Sequence, residues 1–232
     1  MTDNMPVRCL REDRLPDDGF SVEELVLKSC YDQNHEPWTR DIGVIHPSSI
    51  HGCLRNIYYD LTKTKPKSNV PSPKRMLFDI GHAVHDMVQG KLANTEGFES
   101  EVLCDFPELR MRGHCDGVFR VQDWVLEIKT IGDTSFKRLT KTKIEHIWQV
   151  HCYMWMLDIP RCQVLYINRN TGEMRNFVVL FDYAIWEKII ERVNTVERAI
   201  ELGEPPDFSR NSFFCSTCKF YYHCKPPHMR HG

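Results

Sequence analysis

Residues 110–119 and 124–130 constrain the fold of this chain more than any other stretch, because both carry ionisable residues at positions that a two-sided strand would turn inward. Period-two alternation along Trp124-Val-Leu-Glu-Ile-Lys-Thr130 puts Val125, Glu127 and Lys129 on one face and Leu126 and Ile128 on the other. With a turn over residues 120–123, Phe119 faces Trp124, and counting back sets Asp116 opposite Glu127. Directly opposed like charges destabilise a ladder, so a cation belongs between them. A divalent ion such as Mg²⁺ is typically held by one or two carboxylates and keeps waters that a phosphate can replace. Lys129 beside it would orient an attacking water or stabilise charge on the phosphate. Taken alone, Glu-x-Lys reads more readily as a surface salt-bridge ladder involving Lys129.

The remaining pattern builds a layout around this pair. A strand at 99–106 completes a three-stranded meander. Before it, Ser48 or Ser49 is a candidate cap for a helix carrying Ile50, Cys53, Leu54, Ile57, Tyr58 and Leu61. The Pro-, Lys- and Ser-rich run 62–74 reads as a flexible connection, and Met76–Leu92 as a second helix. After the meander, 143–158 returns to helical spacing, with Ile144, Ile147, Trp148, His151 and Trp155 on one face. Two strands, 162–169 and 175–181, flank the turn signal Asn170-Thr-Gly172, and a long helix runs from about Asp182 to Leu202. The sum is one α/β domain, a central mixed sheet flanked by helices, over residues 47–232. Residues 1–46 form an extension in which only a short helix around Ser21 to Tyr31 is suggested.

Hydrophobic content of 41% with no long apolar run, and a polar start without a signal-like core, argue against a membrane protein and for a cytoplasmic one. A net charge of -2 gives no global basic field, so a nucleic-acid surface must be local. Lys137-Arg-Leu-Thr-Lys-Thr-Lys143 is one candidate, and Lys63, Lys65, Lys67, Lys74 and Arg75 surround a second. Ten cysteines without a secretory leader point to metal ligation more than to disulfides. Three of them, Cys215, Cys218 and Cys224, are bunched in CSTCKFYYHC, whereas a closed zinc or iron–sulfur site needs four donors.

Gly81-x3-His85, Gly113-x2-Asp116, Glu127-x-Lys129 and Gln149-x3-Tyr153 follow one another in an order that resembles the RecB-like branch of the PD-(D/E)xK nuclease superfamily. The iron–sulfur nucleases associated with CRISPR adaptation and their viral relatives are similar in a further respect: one cysteine before the nuclease core and Cys-x2-Cys-x5-Cys after it, here Cys53 with Cys215, Cys218 and Cys224. Cys53-Leu-Arg-Asn-Ile-Tyr-Tyr59 also looks like that group's cysteine-bearing helix, and the resemblance spans about residues 45 to 227.

The resemblance implies a restriction-endonuclease-like core with a cysteine-ligated cluster joining the N-terminal helix to the C-terminal tail. It implies Mg²⁺ or Mn²⁺ on His85, Asp116, Glu127 and the Ile128 carbonyl, with Lys129 positioning water and Gln149 and Tyr153 supporting the site or touching DNA. His82, His114, His146 and His151 are alternative ligands to His85, which has the matching glycine spacing. A 4Fe-4S cluster is implied on the four cysteines, although spacing alone does not separate it from Zn²⁺. The expected activity is a metal-dependent deoxyribonuclease, an exonuclease acting on single-stranded or frayed ends in recombination, repair, or CRISPR or viral DNA processing. It would work in the cytoplasm, or in the host cytoplasm if the chain is viral.

The chain carries no nucleotide-binding Gly-x4-Gly-Lys-Ser/Thr loop, so DNA opened by resection, by a helicase or by a recombination or CRISPR-adaptation partner is expected. Lys137, Arg138, Lys141 and Lys143 would grip the backbone, and Trp148, Tyr221 and Tyr222 would stack bases. Two alternatives remain: a non-catalytic nucleic-acid-binding module that retains a structural zinc or iron–sulfur site, and a sequence-specific endonuclease.

Overall fold

The computed structural model describes residues 25–26, 43–65, 72–207, 215 and 218–224. Five strands form one sheet in sequence order: β1 (Phe98–Phe106), β2 (Met111–Phe119), β3 (Trp124–Ile131), β4 (Arg161–Asn168) and β5 (Met174–Leu180). All neighbours are antiparallel except β3 and β4, which run parallel because helices α3 (Asp133–Lys137) and α4 (Ile144–Leu157) carry the chain back across the sheet. The expected meander, the two later strands and a mixed sheet are all present. The short α3 is an element that the sequence reading lacked.

Alternation along β3 distributes the two faces as expected. Val125 joins Val150, Tyr153 and Met154 of α4 in the larger core, while Leu126 and Ile128 pack on the opposite face with Val88 of α2 (Ser72–Leu92). A second core forms where α1 (Leu54–Leu61) meets α5 (Tyr183–Leu202) and the outer side of α4, around Ile57, Tyr58, Ile189 and Val193. Helix α5 is well delimited. Asp182 caps it by accepting from the Ala184 amide at 2.8 Å, and Gly203 ends it at φ 71°.

Three readings need correction. Ser48 and Ser49 lie in a separate 3₁₀ turn, Pro47–Ser49, and the helix starts at Leu54 with Cys53 as its N-cap, so Cys53 precedes the helix. The second helix begins at Ser72, inside the run taken as a connection. On α4, Ile144 and Trp155 are exposed while Gln149, Val150, Cys152, Tyr153 and Met154 are buried. The helix is clasped between the sheet and α5, so two of its faces are covered and a single apolar stripe misplaces its burial. Of the suggested helix at 21–31 only Leu25 and Val26 are described, and both are helical.

Candidate active site

The main-chain ladder between β2 and β3 ends at Gly117 and Leu126, one pair short of Asp116 and Glu127. There the strands part, and the Asp116 carboxylate replaces the missing main-chain partner, its Oδ2 accepting from the Ile128 amide at 2.5 Å. Amide and carbonyl of one residue point to the same side of a strand, so the Ile128 carbonyl borders the same gap. On the other side of β2, Glu101 lies across from Asp116 at φ 49°, in the left-handed region.

Each carboxylate is held from a different helix. On α2, His85 sets Nδ1 3.1 Å from Asp116 Oδ1. One turn on, Gln89 donates to the Asp116 carbonyl at 2.9 Å and to Glu101 Oε1 at 2.6 Å. On α4, Gln149 donates to Glu127 Oε1 at 2.7 Å and reaches the Tyr153 hydroxyl at 3.5 Å. Lys129 forms an ion pair with the same Glu127 oxygen. Gln149 and Tyr153 are 6% and 3% exposed, with Gln149 bonded to the buried Glu127. Gln89 and Glu101 were missed as a pair. The i, i+4 spacing of His85 and Gln89 on one helix face was the available signal.

Glu127 is 1% exposed, and its Oε2 is buried with no hydrogen-bond partner among the described residues. Burial first, and then the Asp116 charge, push its carboxyl up to about 7. Burial pulls His85 down, but the hydrogen bond and charge of Asp116 outweigh it and hold the imidazole above its ordinary value. Burial likewise lowers Lys129, and the Glu127 and Asp116 charges more than reverse this, so Lys129 is an ammonium and no free base.

Among the described residues, no three His, Cys, Asp or Glu side chains gather closely enough to hold a metal ion. The donors nevertheless suit a hard divalent cation: two carboxylates, an imidazole and a carbonyl border one gap, and one buried carboxylate oxygen is left without a partner. A consequence is measurable. In metal-free protein, Glu127 binds a proton more tightly folded than unfolded. The stability this contributes is fully present below its unfolded value of 4.5 and is lost as pH rises through about 7. Mn²⁺ should therefore raise the melting temperature more at pH 8 than at pH 6, relative to EDTA at the same pH. An equal rise at both would contradict the assignment.

The Gly-x2-Asp spacing has a steric reason. A Cβ at Gly113 would stand 2.9 Å from Pro47 Cδ and 3.2 Å from the Tyr153 hydroxyl, so the glycine lets the 47–49 turn and Tyr153 close on β2. Gly113→Ala should cost roughly 1–3 kcal/mol by overpacking and lower activity by displacing Tyr153, as a denaturant melt and an assay would show. Gly81 is different. A Cβ there would meet only Thr130 Oγ1 at 3.6 Å, an ordinary contact, so close packing does not require that glycine.

The other histidines separate by contact. His82 and His114 are exposed, and His151 is locked into the core between the Ile147 carbonyl at 2.7 Å and the Asp182 amide at 3.1 Å. Trp148, expected to stack bases, is half-buried and packs against the His51 ring and the Arg192 guanidinium. Lys137, Arg138 and Lys141 are exposed, with Lys137 paired to Asp133 at 2.7 Å, and Lys143 is the N-cap of α4.

The described part of the tail docks on α1. Lys219 pairs with Asp60, and the fully buried Phe220 stacks near Tyr59. Asn56 and Arg55 donate to the sulfurs of Cys218 and Cys224, each at 3.7 Å. Burial raises both thiols. Cys53 and Cys224 raise Cys218 further, and Cys53 and Cys215 raise Cys224 further. His223, an alternative fourth ligand to Cys53 for the cysteine trio, is bonded to the Lys65 carbonyl at 2.9 Å. Cys30 lies outside the described residues.

No sequence-family profile matches the chain, and no curated protein matches it. Solved structures do. The crystal structure of SSO0001 is 19% identical, with a TM-score of 0.57 over 89% of this chain and 96% of that one. The alkaline exonuclease LHK-Exo from Laribacter hongkongensis is 14% identical, with a TM-score of 0.52 over 76% of this chain and 93% of that one. Its complex with dAMP is 17% identical, with a TM-score of 0.51 over 78% and 93%. At these identities the likeness is one of fold, and the fold is the one that an alkaline exonuclease uses.

Proposed function

We propose that the chain is a divalent-metal-dependent deoxyribonuclease, an exonuclease acting on single-stranded or frayed DNA ends. The observation that carries this reading is the break in the β2–β3 ladder. It sets two buried carboxylates side by side, one with an unpartnered oxygen, next to a lysine ammonium. A non-catalytic binding module has no use for so costly an arrangement. The fold shared with LHK-Exo, whose complex holds a deoxynucleoside monophosphate, supports DNA as the substrate class.

His85, Asp116, Glu127 and the Ile128 carbonyl would hold Mg²⁺ or Mn²⁺. The chemistry such an ion supplies is a more acidic water and a polarised phosphodiester. Asp116 and Glu127 fix the gap from two strands, and Gln149 keeps Glu127 aimed into it. Lys129, as an ammonium, orients the attacking water and steadies charge on the phosphate. Lys137, Arg138, Lys141 and Lys143 would guide the backbone toward the gap, their run ending where the Lys143 amide bonds Tyr166. Cys53, Cys215, Cys218 and Cys224 would hold a 4Fe-4S cluster, with Zn²⁺ as the alternative. Neither group takes part in cleavage on this reading. DNA opened by a helicase, recombination or CRISPR-adaptation partner would feed the site.

The test compares linear and circular single-stranded DNA, end-labelled or internally labelled, in Mn²⁺. Shortening of the linear strand from its ends with the circle intact is expected. Cutting of both at equal rates would mean an endonuclease, and binding of both without cutting would mean the binding module.

A further inference from the structure

His146 lies one turn before Gln149 and two before Tyr153, on the face of α4 that looks at β3. Across the sheet, Tyr166 of β4 is the register partner of Lys129 and is fully buried. Its hydroxyl accepts from the Lys143 amide at 3.1 Å and lies 2.7 Å from His146 Nδ1. A buried phenol has one proton to donate, and the arrangement that satisfies it gives that proton to Nδ1. The imidazole then carries its own proton on Nε2, which has no hydrogen-bond partner among the described residues. Burial, and then the charges of Lys129 and Lys143, pull the ring down to about 3, so it stays neutral. His146 is half-buried, and its bond to Tyr166 sets it on the side of the sheet that carries Lys129. The result is a neutral donor of fixed tautomer beside Tyr166, the register partner of Lys129.

We propose that His146 is a phosphate-binding residue, its Nε2–H donating to a non-bridging oxygen of the DNA backbone next to the scissile linkage. This rests on the nuclease reading and extends it to a subsite that the expected metal and water roles leave unassigned. A neutral donor suits the position, since a further cation would repel Lys129 and weaken its pairing with Glu127. The contact adds direction while Lys129 supplies charge.

The test uses the full chain carrying Asp116→Asn, to prevent cleavage, and a fluorescein-labelled oligo(dT) followed by anisotropy across a salt series. His146→Ala should weaken binding roughly tenfold, the scale of one hydrogen bond to a charged group. The salt dependence should stay unchanged, because a neutral donor displaces no counterion. His146→Gln, whose amide can accept from Tyr166 and still donate, should recover most of the affinity. In the cleaving protein, His146→Ala should raise KM far more than it lowers kcat. Unchanged affinity in His146→Ala, or a loss of affinity with a salt slope shallower by about one charge, would overturn the proposal. So would a fall in melting temperature without a fall in affinity, which would make the residue structural. Wild type that neither binds nor cuts DNA would bring down the nuclease reading and this inference with it. Cutting by wild type with no effect of His146→Ala would bring down this inference alone.

Discussion

Asp116→Ala and Lys129→Ala should each slow metal-dependent degradation of end-labelled single-stranded DNA by on the order of a thousandfold, the scale for removing one preorganised charge-stabilising group. The two losses have different origins. Without Asp116 the gap loses one of its two carboxylates, and the Ile128 amide loses its acceptor. That unpaired amide costs about 1–3 kcal/mol, partly offset because Glu127 no longer faces a second negative charge. The variant should therefore remain folded, with Glu127 easier to ionise. Without Lys129, Glu127 loses its ammonium partner while the Asp116 charge stays, so its carboxyl should rise further and bind metal less readily at neutral pH. Circular dichroism melts alongside the assay separate these effects from unfolding. Degradation by both variants at the wild-type rate would refute the site.

On the proposed ligation, Cys53→Ala and Cys218→Ala should each lose the metal and a large part of the stability together. The tail reaches α1 through a few contacts: the Lys219–Asp60 pair, Phe220 beside Tyr59, and two weak hydrogen bonds to sulfur. Ligation would add a cross-link closing a loop of roughly 160 residues, worth on the order of 3–5 kcal/mol if it acts as a long-loop disulfide does. Anaerobically purified wild type should absorb near roughly 400 nm, as iron–sulfur proteins do, and both variants should be colourless and melt earlier. A colourless wild type holding one zinc would replace the cluster with the alternative metal. A Cys53→Ala protein that keeps its full cluster and melts normally would require another fourth ligand. Cys30 would be the first to try, because His223 is already engaged with Lys65.

The parts of this account that were legible in the sequence are those with short-range causes. Period two alone put Glu127 and Lys129 on one face of β3, and a four-residue turn placed Asp116 level with Glu127, as the register extended by one pair requires. Sequence could not show that the ladder stops just before that pair. The stop depends on Asp116 taking the Ile128 amide and on Gln89 and Glu101 fixing the far side of β2, contacts across 12 to 27 residues of chain. Helix α4 shows the same limit. Gln149 and Tyr153 share one face of it, as their i, i+4 spacing requires, but burial on two sides hid which of its other residues face inward. Nothing local distinguished His146 from four other histidines. Its setting is made by Tyr166 and Lys129, one on each of two parallel strands.

On the proposed reading a divalent cation belongs between Asp116 and Glu127. Calorimetric titration of the full chain with Mn²⁺ at pH 8 tests it most directly. Wild type should bind saturably, Asp116→Asn and Glu127→Gln should not, and His146→Ala should bind as wild type does. Mn²⁺ binding of equal strength in all four proteins, or none in wild type, would contradict it.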